Sequence, residues 1–294
     1  MSYIVLTDSG CDLGTYFLDK PEHDPIGLVI RTNNIELIED SWRTVGFKEF
    51  YDSMRNGEMP TTSQITPAMY HSYFKGPLDK GLDILYLSFS SMLSGTFGSA
   101  NVAAGILKEA YPERRIEIID TKCASSGQGL LVQLALRKQS EGATLQENLE
   151  YVEKMKYHIN HVATVDDLNH LRRGGRISAL SATFGSMLAI KPIIHMDSEG
   201  SLKVIDKVKG RKKSLNTLYS YFEKNLDPEL GIEAFISHGD CENDALYIKE
   251  LIQKNHSDAK VTLFPLGMAI GSHIGPNGAC LFFTGKDRTT KNQQ

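Results

Sequence analysis

Residues 84–110, ILYLSFSSMLSGTFGSANVAAGILKEA, decide the fold class. Residues 84–89 are apolar on both faces of an extended chain, the pattern of a strand buried on two sides in a parallel sheet. Ser90-Ser91-Met92-Leu93-Ser94-Gly95-Thr96 then breaks the run, and a helical pattern begins at Phe97 and continues to residue 110. The same alternation recurs on either side. Residues 3–6, 26–30 and 116–119 read as further strands, and residues 47–54, 67–74 and 129–138 as helices. Strands alternating with helices imply a doubly wound, mainly parallel sheet, whose ligand sits beyond the carboxyl ends of its strands.

C-terminal to this block the pattern changes. Leu145, Leu149, Val152, Met155 and Ile159 recur at helical spacing behind Thr144, a residue suited to capping, and carry the chain onward. A strand at 161–165 and a helix at 181–190 follow, then a hairpin over 192–208 that turns at Asp197-Ser198-Glu199-Gly200. That hairpin implies a mixed sheet. Strands at 232–237, 261–265 and 279–284, with helices at 214–226 and 243–255, complete a second α/β unit, and residues 286–294 read as a frayed tail. The expected organisation is therefore an N-terminal α/β domain over 1–160 and a C-terminal mixed-sheet α/β domain over 161–294.

A chain of 294 residues suits two domains, and 41% hydrophobic with 23% charged residues is ordinary for a globular protein. A net charge of −4 argues against general nucleic-acid binding. Cys11, Cys123, Cys241 and Cys280 form no C-x-x-C pair and read as small core residues. The start, Met1-Ser2-Tyr3-Ile4-Val5-Leu6-Thr7-Asp8, lacks a basic segment and a long apolar run, so neither a signal peptide nor a membrane span is expected. The expected location is the cytoplasm.

Three stretches could carry chemistry. Thr61-Thr62-Ser63-Gln64 and the 90–96 segment both precede helices, where hydroxyls and free amides can receive an anion or simply cap the helix. The third stretch, residues 267–278, reads as a loop in which Gly267, Gly271, Gly275 and Gly278 surround His273. No phosphate-binding loop, complete dinucleotide fingerprint or metal motif occurs, and Met92 stands where a nucleophile elbow at Ser94 would need glycine. No cofactor or metal is expected, and binding fits better than turnover. Two other readings remain open: an esterase-like hydrolase using Ser94 and His273, and a nucleic-acid binder using the basic segments at 171–177 and 207–213.

Taken in order, several motifs resemble the DegV family of bacterial fatty-acid-binding proteins. They are Thr7-Asp8-Ser9 with Asp12-Leu13, Thr62-Ser63-Gln64, Leu93-Ser94-Gly95-Thr96 and Ser126-Gly127-Gln128-Gly129. Leu171-Arg172-Arg173-Gly174-Gly175-Arg176-Ile177, Ile190-Lys191-Pro192-Ile193 and His273-Ile274-Gly275-Pro276 follow. The resemblance implies two domains, an apolar tunnel for a long-chain fatty acid, and a carboxylate held at the domain junction by Thr62, Ser94 and His273, with Ser63 and Gly95 shaping the pocket. It also implies a non-enzymatic subunit that presents its acid to an ATP-dependent fatty acid kinase. That partner would form an acyl phosphate for phospholipid synthesis, and Arg172, Arg173 and Arg176 would face it. His273 would be protonated or would donate N–H to the carboxylate. The chain departs from the family at Ile65, where proline is common, and at Asn277, where glycine is common; asparagine tolerates left-handed backbone well.

Overall fold

The computed structural model describes residues 2–13, 21–33, 35–177 and 189–290. The chain opens with β1 (Tyr3–Thr7), β2 (Val29–Arg31), β3 (Glu36–Ile38), α1 (Phe47–Arg55), β4 (Thr61–Ser63) and α2 (Pro67–Asp79). It continues with β5 (Asp83–Ser88), α3 (Thr96–Ala110), β6 (Ile116–Asp120), α4 (Ser125–Ser140) and α5 (Leu145–Met155). β5 is buried at every position and lies between β1 and β6 in a parallel sheet, as its unbroken apolar run requires. Local chemistry sets the helix starts. Thr66 accepts from Met69 N ahead of Pro67 in α2, and Thr144 and Glu147 form a reciprocal capping box on α5.

The segment expected as a strand at 26–30 joins this sheet only at Ile26, which forms a single parallel bridge with Asp8 just beyond β1. Val29–Arg31 pairs antiparallel with both β3 and β4 in a separate small sheet, and Thr62 lies opposite Ile30. The parallel sheet therefore has three strands, and the hydroxyl stretch at 61–63 is itself a strand.

The second half comprises β7 (Ile159–Thr164), α6 (Asn169–Arg173), β8 (Ile190–Met196), β9 (Leu202–Lys209), α7 (Arg211–Asn225) and β10 (Glu233–His238). It ends with α8 (Glu242–Asn255), β11 (Lys260–Pro265), α9 (Met268–Ile274) and β12 (Ala279–Thr284). Its sheet runs β11-β10-β12-β7-β8-β9 and is mixed, parallel between β10 and β11 and antiparallel elsewhere. The β8–β9 hairpin turns where expected: Asp197 accepts from Glu199 N and Ser201 N, and Gly200 takes φ +86°. The helix expected at 181–190 falls largely outside the described residues, and Ile190 begins β8.

Alternation along the strands divides the mixed sheet between two cores. Ile193, Leu281 and Phe283 face α7 and α8, whereas Ile194, Cys280 and Phe282 face the parallel sheet. Between the sheets lies α4, buried on all sides at Leu130, Leu131 and Val132. The tail expected to fray is tied down as far as it is described. Arg288 is 5% exposed and donates to the carbonyls of Asp197, Lys122 and Lys156.

Candidate lipid-binding site

An apolar cavity of about 90 Å³ lies against the inner face of the mixed sheet. Phe89 and Leu93, following β5, pack with Met196 of β8 and Leu202 of β9 to form one wall. Phe282 of β12 and Ile270 and Ile274 of α9 contribute others. Against this apolar body stand Thr62 and Ser63 from β4, Ser94 from the turn after β5, His273 from α9, and Arg176 just beyond α6.

The segment read as a glycine-rich loop is thus partly helical. Four glycines hid α9, whose last turn delivers His273; Gly275 and Asn277 then take φ +80° and +61° to turn the chain away. His273 Nε2 lies 2.8 Å from Thr62 Oγ1. Burial, reinforced by the nearby cations Arg176 and Arg173, lowers the ring to about 4, so it is neutral near pH 7. Ser94 Oγ pairs with Thr96 Oγ1 at 2.7 Å and accepts from Thr96 N. Ser94 and His273 thus each hold a different threonine hydroxyl rather than each other, and the groups that perturb His273 electrostatically are basic rather than acidic.

The other expected residues divide. Ser63 lines the cavity, whereas Gly95 acts one residue removed: a Cβ there would fall 1.9 Å from Gln64 Oε1, so glycine makes room for Gln64, which lines the wall and donates to Ser99 Oγ. Ile65, in place of the family's common proline, is fully buried in the core. Arg172 and Arg173 are exposed. Arg176 is half-buried at the cavity, its guanidinium donating to Leu93 O at 2.9 Å and to Gly174 O. Among the described residues no carboxylate pairs with it. His161 and His195 also line the cavity; both are held below their usual basicity by burial, and neither stands out in sequence from an ordinary core histidine.

A sequence model described as "Uncharacterised protein, DegV family" matches residues 2–286. The chain belongs to the DegV family. A DegV domain-containing protein of Clostridium perfringens is 38% identical over 283 residues, covering 96% of this chain and 97% of the relative. A DegV family protein from Thermus thermophilus, solved in a study of its fatty acid binding, superimposes with a TM-score of 0.86 at 25% identity, over 97% of this chain and 100% of the other. DegV from Bacillus subtilis, a fatty acid binding protein, gives a TM-score of 0.80 at 26% identity, with coverage of 97% and 100%. These structural neighbours in the DegV family bind fatty acids, and the mixed α/β architecture is shared. No helix among the described residues is long and apolar enough to cross a membrane, and no cluster of His, Cys, Asp and Glu among them could hold a metal ion.

Proposed function

We propose that this DegV protein binds a long-chain fatty acid in the apolar cavity, with Thr62, Ser94 and His273 receiving the carboxylate and Ser63 and Gly95 shaping the space around it. The observation that carries this reading is the composition of the cavity: an apolar body lined also by hydroxyls, a neutral imidazole and a guanidinium that no carboxylate among the described residues pairs with. At about 0.8 kcal/mol per buried CH₂, a tail of about a dozen methylenes contributes on the order of 10 kcal/mol before ordering costs. Burying the carboxylate costs several kcal/mol unless it is hydrogen-bonded, which these donors supply.

The same reading takes residues 1–160 and 161–294 as two domains and makes the chain a cytoplasmic subunit that presents its acid to an ATP-dependent fatty acid kinase. The acyl phosphate formed by that partner would enter phospholipid synthesis. The exposed Arg172 and Arg173 are the side chains best placed to meet it. Replacing both by alanine is expected to leave bound fatty acid in place while lowering kinase-dependent acyl phosphate. Arg176→Ala, which removes a guanidinium from the cavity lining, is expected to lower fatty-acid affinity and product together.

Native mass spectrometry of the purified protein, followed by denaturation and lipid analysis, tests the central claim. A stoichiometric fatty acid is the expected result. A protein that is empty and takes up no added fatty acid would overturn it.

A further inference from the structure

Two buried carboxylates that the lipid site does not use directly grip the helix that delivers His273. Asp12 and Glu39 are each 6% exposed. Asp12 Oδ1 accepts from Gly267 N at 3.0 Å, and Glu39 Oε1 accepts from Ala269 N at 3.2 Å. These amides at the start of α9 have no carbonyl partner within the helix. The remaining oxygens are held as well: Ser125 Oγ donates to Asp12 Oδ2, and Ser9 Oγ donates to Glu39 Oε2 at 2.7 Å. Ser9 Oγ is itself fixed by Leu28 N at 3.0 Å. A Cβ at Gly267 would lie 2.4 Å from Glu39 Oε1 and 2.7 Å from Asp12 Oδ1, so only glycine lets both acids reach the backbone.

The arrangement is costly for a mere cap. A serine or asparagine would satisfy the same amides without two acids sharing one buried site, where burial and mutual repulsion raise the pKa of Asp12 well above the usual carboxylate range. In return, each acid offers two oxygens, one for an amide at the start of α9 and one for a serine that fixes the acid in place. A helix of seven residues has little stability of its own, so whatever holds its first turn sets the position of its last. We infer that Asp12 and Glu39 are positioning residues of the lipid site, which hold α9 by its first turn and thereby keep His273 against Thr62. The consequence for affinity rests on the fatty-acid reading; the consequence for His273 does not.

The test uses protein labelled with ¹⁵N-histidine and free of lipid, with the His273 ring signals identified by their loss in His273→Gln. Glu39→Ala is expected to move the His273 Nε2 resonance away from its hydroxyl-bonded position and to weaken fatty-acid binding about tenfold. Glu39→Gln, which keeps an oxygen acceptor at the same reach, restores both. Ser9→Ala, a milder change that frees the second oxygen of Glu39 and the amide of Leu28 but leaves the bond to Ala269 N, moves the resonance in the same direction by less. An unchanged His273 signal in Glu39→Ala, or a glutamine variant no better than alanine, overturns the inference. Should Glu39→Ala fail to fold, an unchanged signal in Ser9→Ala overturns it instead. If the wild-type chain takes up no fatty acid, the proposed function fails while the His273 comparison still decides the clamp.

Discussion

Burial among apolar side chains and nearby arginines keeps the His273 ring neutral near pH 7, so in the proposed site it would meet a carboxylate as a hydrogen-bond donor rather than as a charge. A hydrogen bond to a charged partner is worth about 1.5–3 kcal/mol, so His273→Ala and Ser94→Ala are each expected to lower fatty-acid affinity about tenfold or more, with the thermal midpoint unchanged. Calorimetric titration with a long-chain acid checks this; unaltered affinity in both variants removes them from the head-group site. Glu39 gives a second prediction at this scale. Burial outweighs its hydrogen bonds from Ser9 and the start of α9 and raises it from 4.5 to about 7, with Asp8 adding repulsion and Asp12 lying in the same buried site. The folded protein thus holds this proton more tightly than the unfolded chain does. Its stabilising contribution is complete below about pH 4.5 and is lost as pH rises through about 7. Glu39→Gln cannot ionise, so wild type should lose stability relative to this variant between about pH 4.5 and pH 7. Parallel melting curves across that range would show that folding leaves the Glu39 pKa unmoved.

Among the elements, the β8–β9 hairpin reaches across to the loops that follow the parallel strands. Ser90 Oγ donates to Gly200 O at 2.9 Å, and a Cβ at Gly200, already at φ +86°, would fall 2.3 Å from that oxygen and 3.0 Å from Lys122 Cα. Gly200→Ala is therefore expected to cost about 1–3 kcal/mol, read as a lower urea midpoint; a variant as stable as wild type would show that the hairpin tip yields freely. This turn was legible in sequence because Asp, Ser, Glu and Gly between two apolar runs leave few alternatives. So were β5, from its unbroken apolar run, and α5, from its cap and spacing. The site was less legible. α9 was hidden because helix propensity argues against a segment with glycine inside it, while close approach by Tyr51, Asp12 and Glu39 demands those glycines. β4 was hidden because Thr61, Thr62 and Ser63 include no apolar residue, and only their pairing with β2 makes them a strand. Arg176 was assigned to a partner-facing segment; its position at the cavity follows from contact with Leu93, which is distant in sequence.

For the molecule as a whole, the two sheets are joined through α4 and through a pin near the end of the chain. Arg288 donates to carbonyls from the turn between β6 and α4, the end of α5 and the hairpin turn, three segments that composition alone would not connect to residue 288. Arg288→Ala leaves those carbonyls short of donors and is expected to cost about 2 kcal/mol or more, measured by denaturant unfolding; a loss within about 0.5 kcal/mol would make the pin dispensable. The order of strands has a further consequence, for synthesis. β12 is the last of the described strands in chain order yet lies between β10 and β7 in the middle of the mixed sheet. A ribosome that has not yet released residues 279–284 holds a chain with two separate ribbons, β7-β8-β9 and β10-β11, each with an open edge facing the gap. The principal sheet cannot close until residues 279–284 have emerged, and until then those two edges are exposed to pairing with neighbouring nascent chains.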